Sequence, residues 1–129
     1  MAYLLDAGSL AEVLRSVPSA YMVRRLTSIP PSDRWTSVIS VSQLLLAARR
    51  DGRTKLMQDV LRLVASVKVA PFDMPAAQSF AKLRATVAPD GAPDDVMIAA
   101  IVLANDFTLV TRRTADFARF PHLRAENWT

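Results

Sequence analysis

The stretch from Gly91 to Phe117 constrains the fold of this chain more than any other part of the sequence. It contains an apolar helical run opened by Asp94 and Asp95, a short apolar strand at Thr108 to Thr111, and then Asp116. In a sheet of parallel strands, ligands bind at the carboxyl ends of the strands, where helix N-termini also point. The stretch therefore predicts an acidic crevice at one edge of a parallel sheet.

The beginning of the chain has the same pattern. Ala2 to Leu5 is a short apolar run that predicts a buried strand, and Asp6 follows it directly. Acids gathered at strand exits suit a divalent cation better than any other ligand, because hard cations take oxygen ligands. Two distant parts of the chain thus supply carboxylates to one candidate metal site.

Strands and helices alternate along the whole sequence. Besides the strand at Ala2 to Leu5, strands are predicted at Trp35 to Val41, Val67 to Val69 and Thr108 to Thr111, with an edge strand within Phe120 to Trp128. Predicted helices begin at or near Ser9, Ser19, Ser42, Leu56, Asp73 and Asp94, and serine or aspartate is placed to cap several of them. This alternation predicts one three-layer α/β/α domain over residues 1–129, with a central parallel sheet of four to five strands.

Composition excludes several kinds of site. The chain has no cysteine, which rules out disulfides, thiolate zinc sites and thiol nucleophiles, and its single histidine, His122, rules out multi-histidine metal sites. No signal peptide and no bilayer-spanning apolar run are visible, so we expect a cytoplasmic protein without membrane contact. The net charge of +4 suits an anionic partner, although a general basic bias explains it equally well.

Four segments, spaced along nearly the whole chain, carry a family resemblance. They are Y-L-L-D-A-G-S-L-A-E at Tyr3 to Glu12, W-T-S-V-I-S-V-S-Q-L-L-L-A-A at Trp35 to Ala48, D-V-M-I-A-A at Asp95 to Ala100 and L-V-T-R-R-T-A-D-F at Leu109 to Phe117. Together they resemble the PIN-domain nucleases, in particular the VapC-type toxins of bacterial toxin–antitoxin pairs. One such segment alone would be a weak signal, whereas four in register are fairly specific.

The resemblance implies a catalytic site of four side chains that binds Mg²⁺ or Mn²⁺. It assigns the first, third and fourth acids, which are the metal ligands, to Asp6, Asp95 and Asp116. The second position, a glutamate in the family, falls on Gln43, which offers an oxygen but no charge. An Asn or Asp position after the last strand falls on Arg113, whose guanidinium, if turned inward, would place a fixed cation where Mg²⁺ should lie.

The activity implied by the resemblance is metal-dependent hydrolysis of RNA phosphodiester bonds, with tRNA and rRNA as candidate substrates. Basic side chains at the rim would contact the RNA; the candidates are Arg49, Arg50, Arg53, Lys55, Arg112 and Arg113. The family also implies a homodimer and a VapB-like antitoxin, whose C-terminal segment lies along an apolar groove. Six apolar residues of the first two helices are candidates for that groove: Leu10, Val13, Leu14, Met22, Val23 and Leu26.

Each candidate residue also has an ordinary structural explanation. Asp94 and Asp95 could cap a helix or offset its dipole, Asp6 could be a turn residue, and Asp116 could cap a short C-terminal helix. The run from Arg49 to Lys55 is typical of a solvated helix end.

Two functions therefore stay open at this point. The first is an active ribonuclease toxin that works with three acids and Gln43, with activity weakened by Gln43 and Arg113. The second is a PIN-fold protein with impaired catalysis that binds RNA or a protein partner.

Overall fold

A five-stranded parallel sheet forms the centre of the computed structural model, which describes every residue from Met1 to Thr129. The strands are β1 (Tyr3–Leu5), β2 (Arg34–Ser37), β3 (Lys68–Ala70), β4 (Thr108–Val110) and β5 (Arg124–Glu126). Their order is β3-β2-β1-β4-β5, and every neighbouring pair is parallel. The strand order reverses at β1, and such a reversal opens a crevice at the carboxyl ends of the strands.

Seven α-helices and a short 3₁₀ turn at Pro31–Asp33 connect the strands. The helices are α1 (Ala7–Val13), α2 (Ala20–Ser28), α3 (Val38–Asp51), α4 (Thr54–Ala65), α5 (Met74–Thr86), α6 (Pro93–Ala104) and α7 (Thr114–Phe117). They cover both faces of the sheet, which confirms the predicted three-layer architecture. None of them combines the length and apolar character needed to cross a bilayer.

The two faces of the sheet belong to two core clusters. Leu4 and Leu109 point into the cluster formed with α5 and α6, whereas Leu5 and Val110 point into the cluster formed with α1 to α4. This division follows from the strand geometry, since successive side chains point to opposite faces. Helix α6 buries a continuous apolar run from Ile98 to Val102, so it is a central element of the core rather than an amphipathic surface helix.

The predicted boundary between the second strand and the following helix is wrong. β2 ends at Ser37, not at Val41, and α3 begins at Val38, not at Ser42. The Ser37 hydroxyl accepts a hydrogen bond from the backbone N–H of Ser40 at 2.9 Å and so caps the helix. The β-branched run after Ser37 favours a strand by propensity, but the cap and the packing of this segment override that preference.

The predicted cap of the first helix is also wrong, because α1 begins at Ala7 and is capped by Asp6 rather than by Ser9. The predicted caps at Ser19 and Asp73 are confirmed, and each accepts a hydrogen bond from the backbone N–H three residues later. The predicted edge strand is confirmed as β5.

Candidate active site

Asp6 lies at the exit of the central strand β1 and is almost completely buried, with 4% of the residue exposed. One carboxylate oxygen, Oδ1, accepts the backbone N–H of Ser9 at 2.9 Å, and this hydrogen bond caps α1. The Ser9 hydroxyl donates to the carbonyl of Val110 at 3.0 Å, which ties α1 to the end of β4. The orientation of the Asp6 carboxylate is therefore set by a helix cap and not by a flexible turn.

Helix α6 brings Asp94 and Asp95 to the same edge of the sheet. Neither acid caps the helix: Pro93 is the first helical residue, Ala92 precedes it, and no side chain makes a cap hydrogen bond. Both acids lie within the first turn, where the positive end of the helix dipole favours negative charge.

The turn after β4 directs Arg113 into the space between the acids. The backbone N–H of Arg113 donates to the hydroxyl of the buried Thr111 at 3.0 Å, which fixes the start of the turn. The guanidinium then donates two parallel hydrogen bonds to Asp95, from Nη2 to Oδ1 at 2.8 Å and from Nη1 to Oδ2 at 2.9 Å. Nη1 also donates to Oδ2 of Asp116 at 3.2 Å, so one cation joins the two acids.

The charge distribution reflects this arrangement. The hydrogen bonds from Arg113 to Asp95 raise the pKa of Arg113, against the opposing effect of partial burial, and the charges of Asp95 and Asp6 and the contact with Asp116 raise it further. Three carboxylates from three separate parts of the chain therefore act on a single guanidinium. Asp116 lies within α7 and does not cap it, since the preceding cap position is Arg113 itself.

Gln43 lies in the second turn of α3, at the other side of the crevice. Its Nε2 donates a hydrogen bond to Oδ2 of Asp94 at 3.0 Å, which joins α3 to α6. A pocket of about 230 Å³ opens beside this contact, and its lining residues are Asp6, Ala7, Gly8, Gln43, Arg112 and Arg113. The pairing of Gln43 with Asp94 was not foreseen from the sequence, because nothing local links residues 51 positions apart.

The donor atoms in this crevice suit a divalent cation, but their present arrangement does not. The donors are carboxylate oxygens, which Mg²⁺ and Mn²⁺ prefer, and those of Asp95 and Asp116 already contact a positive group. As they stand, however, no three acidic or histidine side chains form a group that could hold a metal ion. Asp95 engages both of its oxygens with Arg113, so neither oxygen is open to a metal ion while the guanidinium stays in place.

The candidate RNA-binding residues fall into two groups. Arg112 and Arg113 lie at the pocket, whereas Arg49 and Arg50 lie in the last turn of α3, and Arg53 and Lys55 follow beyond it. Since α3 begins at the site and its 14 residues extend about 20 Å, the second group lies toward the far end of the domain. Arg53 is paired with Asp51 at 2.7 Å and Lys55 with Asp59 at 3.0 Å.

The apolar residues proposed for a partner groove are only partly available. Leu10 and Met22 are fully buried in the core, whereas Val23 is 43% exposed. An apolar hollow of about 210 Å³ lies instead between α1, α3 and α4. Its lining residues are Ala11, Leu14, Arg15, Leu44, Ala47, Ala48, Leu56 and Val60.

Two arginines that the sequence analysis did not single out hold the loop before α6. Arg84 donates to the carbonyls of Ala88 and Gly91, and Arg119 lies against Gly91 so closely that a Cβ there would overlap its guanidinium. Arg119 is also near Asp90, at 3.7 Å. This loop sets where α6 begins and therefore where its two acids lie.

Comparison with known proteins agrees with this fold. The family model for the PIN domain matches residues 3–123. The chain belongs to the PIN domain family.

Two relatives match this PIN domain over most of both chains. It is 34% identical over 125 residues to toxin FitB of Neisseria gonorrhoeae (strain ATCC 700825 / FA 1090), covering 88% of this chain and 89% of FitB. It is 31% identical over 125 residues to plasmid stability protein StbB of Pseudomonas syringae pv. tomato, with the same coverage of 88% and 89%.

The fold is shared with solved toxin–antitoxin complexes. VapBC2 from Rickettsia felis, bound to a DNA fragment from its promoter, superposes with a TM-score of 0.87 at 21% identity and full coverage of both chains. At that identity the likeness concerns the fold alone.

Proposed function

We propose that this PIN domain is the toxin of a toxin–antitoxin pair and that it hydrolyses RNA phosphodiester bonds in the cytoplasm with the help of Mg²⁺ or Mn²⁺. One observation carries the proposal: at the carboxyl edge of a PIN-family sheet, Asp95 and Asp116 both accept hydrogen bonds from the guanidinium of Arg113, and Arg113 lines one pocket with Asp6. The names of the relatives, toxin FitB and plasmid stability protein StbB, support the assignment to a toxin.

In this proposal the three acids are the metal ligands, and the rest of the chain positions them. When bound, the metal ion supplies an activated water and stabilises the charge that develops on the phosphate. Asp6 is held by its cap on α1, and Asp95 by the first turn of α6, whose positive end compensates for the close acids. Gln43 completes the catalytic set as a neutral oxygen donor.

Arg112 is the side chain best placed to contact the RNA backbone. It lines the pocket and makes no ion pair within the chain, unlike its neighbour Arg113. A guanidinium suits a phosphate group because its planar donors match two phosphate oxygens. Arg49, Arg50, Arg53 and Lys55 would reach only RNA that extends along α3, and their contribution would be sensitive to salt.

The partners in the proposal are a second copy of the chain and a VapB-like antitoxin. The apolar hollow between α1, α3 and α4 supports the antitoxin, since an amphipathic helix binds by placing its apolar face in such a groove.

A second candidate function has its own support. The paired Arg113 and the uncharged Gln43 both reduce the negative charge available to a metal ion, and charge count governs the affinity of such sites. A domain altered in this way would bind RNA or a protein partner without cutting RNA.

RNA cleavage by the purified full chain with Mn²⁺ separates the two candidates. Asp95→Asn is the matched control, because it keeps the shape of the side chain and removes the charge, and the same purification exposes any contaminating nuclease. Cleavage by the parent that is lost in Asp95→Asn supports the enzyme. If the parent, Gln43→Glu and Arg113→Gln all fail to cleave RNA, the enzyme is refuted and the binding function is favoured.

A further inference from the structure

We propose that Arg113 is a built-in competitor of the metal ion: its guanidinium occupies the cation position among the acids, and metal binds only when that side chain leaves. The inference rests on the proposed function for the identity of the ligands Asp6, Asp95 and Asp116. It adds a metal-free state of the domain in which the guanidinium of Arg113 neutralises the charge of the acids.

The contacts of Arg113 are those of a bound cation. It engages both oxygens of Asp95 in a parallel pair of hydrogen bonds at 2.8 and 2.9 Å, and it reaches Asp116 at 3.2 Å. Paired charged hydrogen bonds of this form are the strong ones in proteins. A metal ion that bound Asp95 with Arg113 in place would meet a fixed positive charge at the same oxygens.

The side chain of Arg113 can leave without disturbing the core. It is 47% exposed, and its guanidinium is bounded on one side by the ring of Phe117, 5.5 Å from the ring centroid. The backbone, by contrast, is anchored through the hydrogen bond to Thr111. A fixed backbone with a half-exposed side chain allows two positions of the guanidinium, one among the acids and one in solvent.

The rest of the site reinforces the neutral state. Asp94, the other acid in the first turn of α6, is engaged by the Nε2 of Gln43 at 3.0 Å. The acids of α6 are therefore both satisfied by groups of this chain. A cation would have to compete for them rather than fill a vacant negative site.

Arg112 offers a matched comparison. It is adjacent in sequence and lines the same pocket, and it carries the same charge, but it makes no ion pair with the acids. Removing either arginine changes the net charge by one unit, so a general electrostatic effect on metal affinity would be similar for both. Only Arg113→Gln would also release the oxygens of Asp95.

The test is calorimetric titration of Mn²⁺ into the full chain and into Arg113→Gln, Arg112→Gln and Arg113→Lys. We expect Arg113→Gln to bind Mn²⁺ about tenfold to a hundredfold more tightly than the parent. This ratio corresponds to the free energy of the charged hydrogen bonds that the substitution removes. Arg112→Gln should differ from the parent far less, and Arg113→Lys should stay close to the parent because it keeps the cation. Circular dichroism establishes that each variant is folded.

The inference is overturned if Arg113→Gln and the parent have the same Mn²⁺ affinity, including the case in which neither binds, or if Arg112→Gln gains as much as Arg113→Gln. Adding Asp95→Asn to Arg113→Gln should remove the gained affinity, and retention of that affinity would also overturn it. RNA cleavage is measured separately on the same proteins. An Arg113→Gln protein that binds Mn²⁺ tightly and cuts no RNA would refute the nuclease and leave the competition intact.

Discussion

Restoring a carboxylate at position 43 tests the electrostatics of the site directly. Gln43 donates to Oδ2 of Asp94 at 3.0 Å, so Gln43→Glu exchanges a hydrogen bond for two like charges at nearly the same separation. Two unit charges 4 Å apart repel by about 1 kcal/mol in bulk water and more where the dielectric is lower. With the lost hydrogen bond, which contributes about 1 kcal/mol, we expect the metal-free variant to be less stable by about 1–2 kcal/mol at pH 7.

The pH dependence of this loss has a definite sign. The neighbouring Asp94 disfavours the charged form of the new carboxyl group in the folded state, which raises its pKa above the unfolded value of about 4.3. The destabilisation is therefore largest at neutral pH and disappears as the pH falls below the unfolded pKa. Added Mn²⁺ should reverse the loss, because a ligand that binds only the folded state stabilises it.

Thermal unfolding at pH 7 and pH 4, with and without Mn²⁺, measures these effects. For a domain of this size 1–2 kcal/mol corresponds to a decrease in Tm of about 3–8 °C. Gln58→Glu is the matched control, since it makes the same chemical change at an exposed site on α4 away from the acids, and we expect it to change stability by less than about 0.5 kcal/mol. A metal-free Gln43→Glu protein as stable as the parent at pH 7 would refute the reasoning.

Three further substitutions test other parts of the structure. Asp6→Asn should keep the cap on α1 and the parent's Tm while removing any Tm increase caused by Mn²⁺, whereas Asp6→Ala should also lose about 1 kcal/mol of stability in urea unfolding. Glu12→Gln should flatten the acid limb of the stability curve: the hydrogen bond from Arg15 lowers the pKa of Glu12, so its stabilisation is present above pH 4.5 and is lost as the pH falls through the lowered value. Gly52→Ala should cost about 1–2 kcal/mol in urea unfolding, because the residue that ends α3 has φ +85°, and Gly52→Asn should cost less.

Most elements of the fold were predictable because they have a local signal. Short apolar runs predicted β1 and β4, and Ser19 and Asp73 predicted helix starts that the structure contains. The start of α3 was not predictable in this way, since the residues after Ser37 are β-branched and only the cap on Ser40 and tertiary packing favour a helix. The boundaries of an element depend on the balance between local propensity, caps and tertiary packing. The existence of an element depends on its hydrophobic pattern.

The residues that form the site were more predictable than the contacts between them. The segments that carry the acids were visible in the sequence, and so was the position of Arg113 among them. The direction in which Arg113 points depends on Thr111, which is buried beneath the turn, and on the start of α6, which depends on the loop held by Arg84 and Arg119. None of these contacts has a sequence signature, because each joins side chains whose proximity arises only from the assembled sheet.

Gln43 and Arg113 both make the charge of the site less negative. Relative to a site with acids at both positions, Gln43 removes one negative charge, and Arg113 removes one and adds a positive charge. Both changes favour the metal-free domain, because they relieve repulsion between acids that the fold brings together. In the proposed metal site, stability without metal and affinity for metal are therefore opposed, as is common where like charges are assembled for function. Under the proposed competition, the choice between a restrained nuclease and a binding protein depends on how often the Arg113 guanidinium leaves Asp95, and not on whether the acids are present.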